Sequence, residues 1–62
     1  MKVEFSSEVA EMMIADQKFC NDVERHVRNF NIFYNMKMVS YKKFELLIQK
    51  ESADYLKVSI CE

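Results

Sequence analysis

Residues Ser7 to Asn29 read SEVAEMMIADQKFCNDVERHVRN, the longest stretch of the chain with a helical period. Wound at about 100° per residue, Val9, Met12, Met13, Phe19, Cys20, Val23, Val27 and the adjoining Phe30 fall within about 120° of one another, the width of a stripe that faces a core. The ends of the stretch agree with its middle. Ser6 or Ser7 supplies an N-cap oxygen, Glu8 and Glu11 follow it, and Arg25 and Arg28 lie near the far end. Each charge has the sign that the helix dipole favours. The spacing predicts one long amphipathic helix over 7–29. Two residues sit badly on it: Asp16 lies inside the apolar stripe and Ile14 lies on the polar face. A break near Ala15–Gln17 would relieve both, and Asn21 with Glu24 three positions on offers a capping box for a second, shorter helix.

Outward from the helix the period changes. Before it, Met1, Val3 and Phe5 alternate with Lys2 and Glu4, as in a half-buried strand. After it, Asn29 and Asn31 can close the helix in the left-handed conformation. Ile32, Tyr34, Met36 and Met38 then alternate with Phe33, Asn35, Lys37 and Val39. Ser40 to Lys43 reads as a short connection, Phe44, Leu46 and Ile48 alternate again, and Lys50 to Asp54 has the length of a hairpin loop. Leu56, Val58 and Ile60 follow. The reading is α+β, in the order β-α-β-β-β, with the helix packed on a small antiparallel sheet. The alternative is an all-α chain in which 41–60 forms a second helix; Phe44, Leu47, Ile48 and Tyr55 partly fit that period, but Glu51 and Ser52 interrupt it.

Composition bounds the rest. The 62 residues are half hydrophobic and nearly a third charged, which describes one small globular domain over 1–62 with no internal repeat or linker. There is no Gly and no Pro. A P-loop or dinucleotide fingerprint is therefore excluded, and any turn needing positive φ must fall to Asn, Asp or Lys. The longest charge-free run, Asn29 to Met36, is far too short to cross a bilayer. The N-terminus lacks an apolar signal core, so the expected location is the cytoplasm, that of the host if the chain is phage-encoded. Cys20 and Cys61 are expected to be reduced thiols rather than a disulfide, because the first lies in the helix stripe and the second points away from Leu56, Val58 and Ile60.

Net charge is −1 but unevenly spread. Residues 1–24 hold two lysines against six carboxylates, a balance of −4; residues 25–50 hold six cations against Glu45 alone, giving +5; residues 51–62 hold Lys57 against Glu51, Asp54 and Glu62, giving −2.

The chain lacks the equipment of an enzyme. His26 is the only imidazole, and Cys20, six positions back on the same helix, lies on a different face at a different height. Three Cys and His residues without close pairing do not make a zinc site, and no EF-hand spacing occurs. No cofactor, metal or small-molecule substrate is expected. Asp16 requires a local explanation, since a carboxylate facing an apolar sheet is costly unless bonded. A kink, a stripe edge, a lysine pair or a partner's basic group would each serve.

A single helix covers one side of a sheet. With Tyr34, Met36, Met38, Phe44, Leu46, Ile48, Leu56, Val58 and Ile60 beneath it, the bare side would show Phe33, Lys37, Val39, Tyr41, Leu47, Tyr55 and Lys57. Contiguous exposed patches of this kind mark interaction sites. Phe33, Lys37, Tyr41, Lys42, Lys43, Leu47 and Tyr55 are the expected partner-binding residues, and the partner is another protein or a second copy in a homodimer. The expected role is that of a small non-catalytic interaction module, an inhibitor or regulator of a host protein or complex, as are many tiny chains of phages and mobile elements. The alternative is single-stranded nucleic-acid binding or transcription regulation through a basic and aromatic sheet face. The acidic pI of 5.8 weighs against it.

Overall fold

A computed structural model describes residues 1–61; Glu62, counted above among the C-terminal acids, lies outside the described residues. The fold is α+β. Its elements run β1 (Lys2–Phe5), α1 (Ser7–Ala15), α2 (Gln17–Arg28), β2 (Met36–Ser40), β3 (Glu45–Ser52) and β4 (Tyr55–Cys61). The four strands form one mixed sheet in the order β1-β4-β3-β2. β2, β3 and β4 form the expected antiparallel meander, and β1 adds to β4 in parallel. Both helices lie on one face. Residues 45–52 and 55–61 are strands joined by a turn, which removes the all-α alternative.

The long helix is divided at Asp16. The Ser6 hydroxyl starts α1 by accepting the Val9 N–H at 3.3 Å, and the Ser6 N–H ties the end of β1 to Val58 O at 2.9 Å. Asp16 then leaves the helical region, with φ −137° and ψ 104°. Its own N–H still donates to Met12 O, closing α1, while its carboxylate accepts from the Lys18 and Phe19 N–H groups at 3.0 and 3.2 Å, opening α2. A charge that looked misplaced in a stripe is thus a cap held outside it. The second helix starts at Gln17, four positions before the Asn21 capping box suggested by the sequence. The break does not rescue Ile14, which is 87% exposed. Asp16→Ala removes an oxygen bonded to two otherwise unpaired helix donors and is expected to cost about 1 kcal/mol. Asp16→Asn keeps the oxygen and should recover most of that loss, as read from denaturant midpoints at constant slope.

Alternation decides what the sheet buries. Leu46 and Ile48 from β3 and Leu56 and Val58 from β4 point toward the helices and are buried with Val9, Phe19, Val23 and Phe30. Val3, Phe5, Met12, Met13, Val27, Val39, Tyr41, Phe44 and Ile60 pack around them, half-buried. Fully burying one such aliphatic side chain contributes roughly 1.5–3 kcal/mol. The core is small but continuous from α1 over β1 and β4 to α2 over β2 and β3.

The turns need no left-handed residue: among the described residues none has positive φ, so Asn29 closes α2 at φ −95° rather than in the left-handed form expected of it. Between β3 and β4, Lys50 faces Leu56 while Ser52 faces Tyr55, so Glu51 is an extra residue on β3. Tight hairpin turns that match strand twist use positive φ. With none present, the bulge supplies the added twist.

Candidate partner-binding surface

The β2–β3 hairpin determines which side chains are available. Tyr41 N–H donates to Phe44 O at 2.9 Å across Lys42 and Lys43, so Tyr41 and Phe44 lie opposite each other on the same face. Phe44 faces the helices; Tyr41 must follow. Its ring stacks on Phe44 with centroids 4.9 Å apart and meets the edge of Phe19 at 5.6 Å. Its hydroxyl donates to Asp22 Oδ2 at 2.8 Å. Burial, then the bond to the Asp22 carboxylate, pushes the Tyr41 phenol up to about 12. Side chains alternate along β2, so Val39 and Lys37 also point inward while Met38 and Met36 point outward. This inverts the face expected for Met36, Lys37, Met38, Val39 and Tyr41.

The expected site therefore divides. Lys37 lies on the helix side, with Nζ 3.4 Å from His26 Nδ1. Tyr41 belongs to the aromatic cluster just described. Lys42 and Lys43 are exposed at the hairpin turn, and Phe33 is 87% exposed in the loop after α2. Leu47 and Tyr55 do face the bare side. Leu47 stands between Met38 and Ser59, whereas Tyr55 is opposite Lys2, receives the Lys2 Nζ over its ring at 5.2 Å and donates to Glu4 Oε2 at 2.7 Å. Lys2, Glu4, Gln49, Lys57 and Ser59 share that side. The bare face is mostly polar.

The apolar surface lies at one corner of the molecule, where the segment joining α2 to β2 meets Met36 and Met38 on the outer side of β2. Asn31 Oδ1 accepts the Phe33 N–H at 2.9 Å, and Asn31 O accepts the Tyr34 N–H at 3.0 Å, forming a tight turn. Lys50 fastens this turn to β3 twice, from Nζ to Ile32 O at 2.6 Å and from its backbone N–H to Asn35 O at 2.8 Å. A segment held this way nevertheless leaves Ile32 53%, Phe33 87% and Tyr34 63% exposed, and Met36 at 49% and Met38 at 45% continue the set along the outer side of β2. Beside it, Asn29, Phe30, Asn31, Tyr34, Met36 and Lys37 line an open cavity of about 310 Å³. No family model matches the chain, and no curated protein and no solved structure matches it either. The surface must be read from its own chemistry.

Tyr34, Met36 and Met38 are absent from the expected site because the alternation places them under the helix, and Ile32 is assigned to neither face. The signal that could have found them is the charge-free run Asn29 to Met36. A surface loop without charges is unusual, and this one coincides with the exposed apolar set.

Cys20 and Cys61 are free thiols. The Cys20 thiol donates to Glu24 Oε1 at 3.2 Å, which raises its pKa. Asp22 pairs with Arg25 as well as with Tyr41. Among the described residues no three His, Cys, Asp or Glu side chains converge on a metal-sized site, and no helix is long and apolar enough to cross a membrane.

Burial, followed by the Lys37 ammonium, lowers the pKa of His26 below its ordinary value of 6.5, and Arg25 acts in the same direction against the opposing pull of Asp22. His26 thus accepts from Lys37 as a neutral ring. Because the unfolded chain takes up this proton first, the His26 contribution to stability is present above pH 6.5. It is lost as pH falls through that value toward the folded pKa. Urea midpoints measured across this range should decline toward acid, and His26→Gln should flatten the decline.

Proposed function

We propose that this chain is a small non-catalytic protein–protein interaction module that inhibits or regulates its partner, a role in keeping with tiny phage and mobile-element proteins acting in a host cytoplasm. The observation that carries the reading is the exposed set Ile32, Phe33 and Tyr34, presented by a turn that Lys50 holds in place, with Met36 and Met38 next to it on β2. Exposed apolar residues scattered singly need no explanation, as with Ile14; five within seven positions do. The ordering cost of the loop is already met in the free protein, so less of the binding energy is lost on association.

Two occupants suggested by the sequence have less support. Self-burial of the bare sheet face would cover Met36, Met38, Leu47 and Tyr55 but would desolvate Lys2, Glu4, Glu45, Gln49 and Lys57 with them. A base-stacking platform would need Phe33, Lys37 and Tyr41 on one face, and they occupy a loop, the helix side of β2 and the aromatic cluster respectively. A foreign protein is the reading retained.

The test is a photo-crosslinker placed at Phe33, with one at Ile14 as the control, in the native host. Expected is a discrete host protein joined to the Phe33 probe and not to the Ile14 probe, whose binding to purified chain is abolished by Phe33→Asp. Equal labelling from both positions, or salt-sensitive binding of single-stranded oligonucleotides without a protein adduct, would overturn it.

A further inference from the structure

The hydrogen bonds at the two ends of the β2–β3 ladder fix its phase. Tyr41 N–H bonds Phe44 O at one end, and Lys50 N–H bonds Asn35 O at the other. Bonded and non-bonded pairs alternate along an antiparallel ladder. Asn35, Lys37, Val39 and Tyr41 therefore turn their backbone groups toward β3. Met36, Met38 and Ser40 turn theirs outward, and β2 is an edge of the sheet. An edge of this kind is a template for another strand.

Charge selects the strand. From Asn29 to Phe44 there are three lysines and no carboxylate. Lys37 stands in the strand on the helix side, beside a His26 that cannot neutralise it, and Lys42 and Lys43 stand at the tip. Asp22, the nearby acid of α2, already serves Arg25 and Tyr41. Glu45, opposite Ser40, is the one carboxylate facing the outer side of this ladder. A second copy of β2 would bring Lys37 of each copy toward that of the other, since antiparallel self-pairing about Met38 sets them on one face as near diagonal neighbours.

We propose that β2 receives an extended acidic segment of a partner protein, which adds to the sheet through Met36, Met38 and Ser40. Its carboxylates alternate with apolar residues, facing Lys37 on the helix side and covering Met36 and Met38 on the other. This rests on the interaction-module reading and names the partner's chemistry: a carboxylate-bearing strand rather than a helix or a second copy.

The probe is a short synthetic peptide alternating Glu with Val, compared with its Lys–Val counterpart, followed in amide spectra of the labelled full chain. The Glu–Val peptide is expected to shift and protect the Met36, Met38 and Ser40 amides. Its affinity should fall roughly tenfold or more in Lys37→Glu and, through loss of an outward donor, in Met38→Pro. Met38→Pro leaves the ladder to β3 intact because that N–H takes no part in it; unchanged core methyl signals of Leu46 and Ile48 verify the fold. Equal binding of both peptides, no β2 shift at millimolar peptide, or β2 amides that shift with protein concentration alone would overturn the proposal. A host protein crosslinked through Phe33 without any β2 response would sink strand addition while leaving the module reading in place. Peptide capture by β2 without a Phe33 adduct would do the reverse.

Discussion

Leu46→Ala leaves a chain that is unfolded or nearly so at ambient temperature. Leu46 is fully buried at the centre of the sheet, flanked by Val39 on β2 and Ile60 on β4. Truncating a leucine there removes its transfer energy and opens a void, together about 2–5 kcal/mol. A domain of this length holds roughly 3–9 kcal/mol in total. The loss is comparable with the whole. Far-ultraviolet dichroism and urea melts would read it, and an Ala variant as stable as the parent would mean that the core is not arranged as described. The same truncation at Leu47, one position along and half-buried on the bare face, should cost a small fraction of that.

Phe19→Ala is the second large effect, expected at about 3–5 kcal/mol. Phe19 is buried at the first turn of α2 and meets both Tyr41 and Phe44 edge-on, at 5.6 and 5.9 Å. It is also one of the two residues whose N–H groups Asp16 caps, so the helix start and the aromatic cluster share it. The milder Phe19→Leu keeps the chain folded and gives a separate readout. In the parent, the Tyr41 phenol retains its proton to about pH 12 while an unfolded tyrosine loses it near 10. The stability that this difference supplies is present below pH 10 and is lost as pH rises between those values. Loosening the cluster wets Tyr41 and should move its titration, followed by tyrosinate absorbance, back toward 10.

Most of the architecture was legible because the signals were redundant. Helix period, cap and dipole agreed over 7–29, and the β3 and β4 alternations have their apolar members under the helices as read. Asp16 was legible as an anomaly, and its resolution as a cap needed only the rule that Asp prefers such positions to helix interiors. The phase of β2 was misread for a physical reason. Hydropathy favoured burying Met36 and Met38 over Lys37, and strand phase has only two settings, so one wrong choice inverts every residue. The pair of lysines at 42 and 43 contained the correction. A two-residue hairpin puts Tyr41 and Phe44 on the same face, and Phe44 inward then forces Val39 and Lys37 inward. The candidate site inherited that inversion: Tyr41 and Lys37 left it, while Met36 and Met38 entered it. Which backbone groups an edge leaves open follows from the same phase, so it too was out of reach until the hairpin was seen.

The parallel pairing of β1 with β4 also constrains the order of assembly. β1 is the first strand to be synthesised, and its single neighbour in the sheet is the last, with Lys2 meeting Tyr55 and Phe5 meeting Val58. Neither β2 nor β3 pairs with β1. During translation this strand therefore stays unpaired in the sheet until β4 has been made, and its pairing waits on the closure of the long loop between them. Any event that interrupts synthesis or clips the chain before β4 leaves β1 without a partner and β3 with β2 alone. No product that ends before β4 can bring β1 into the sheet.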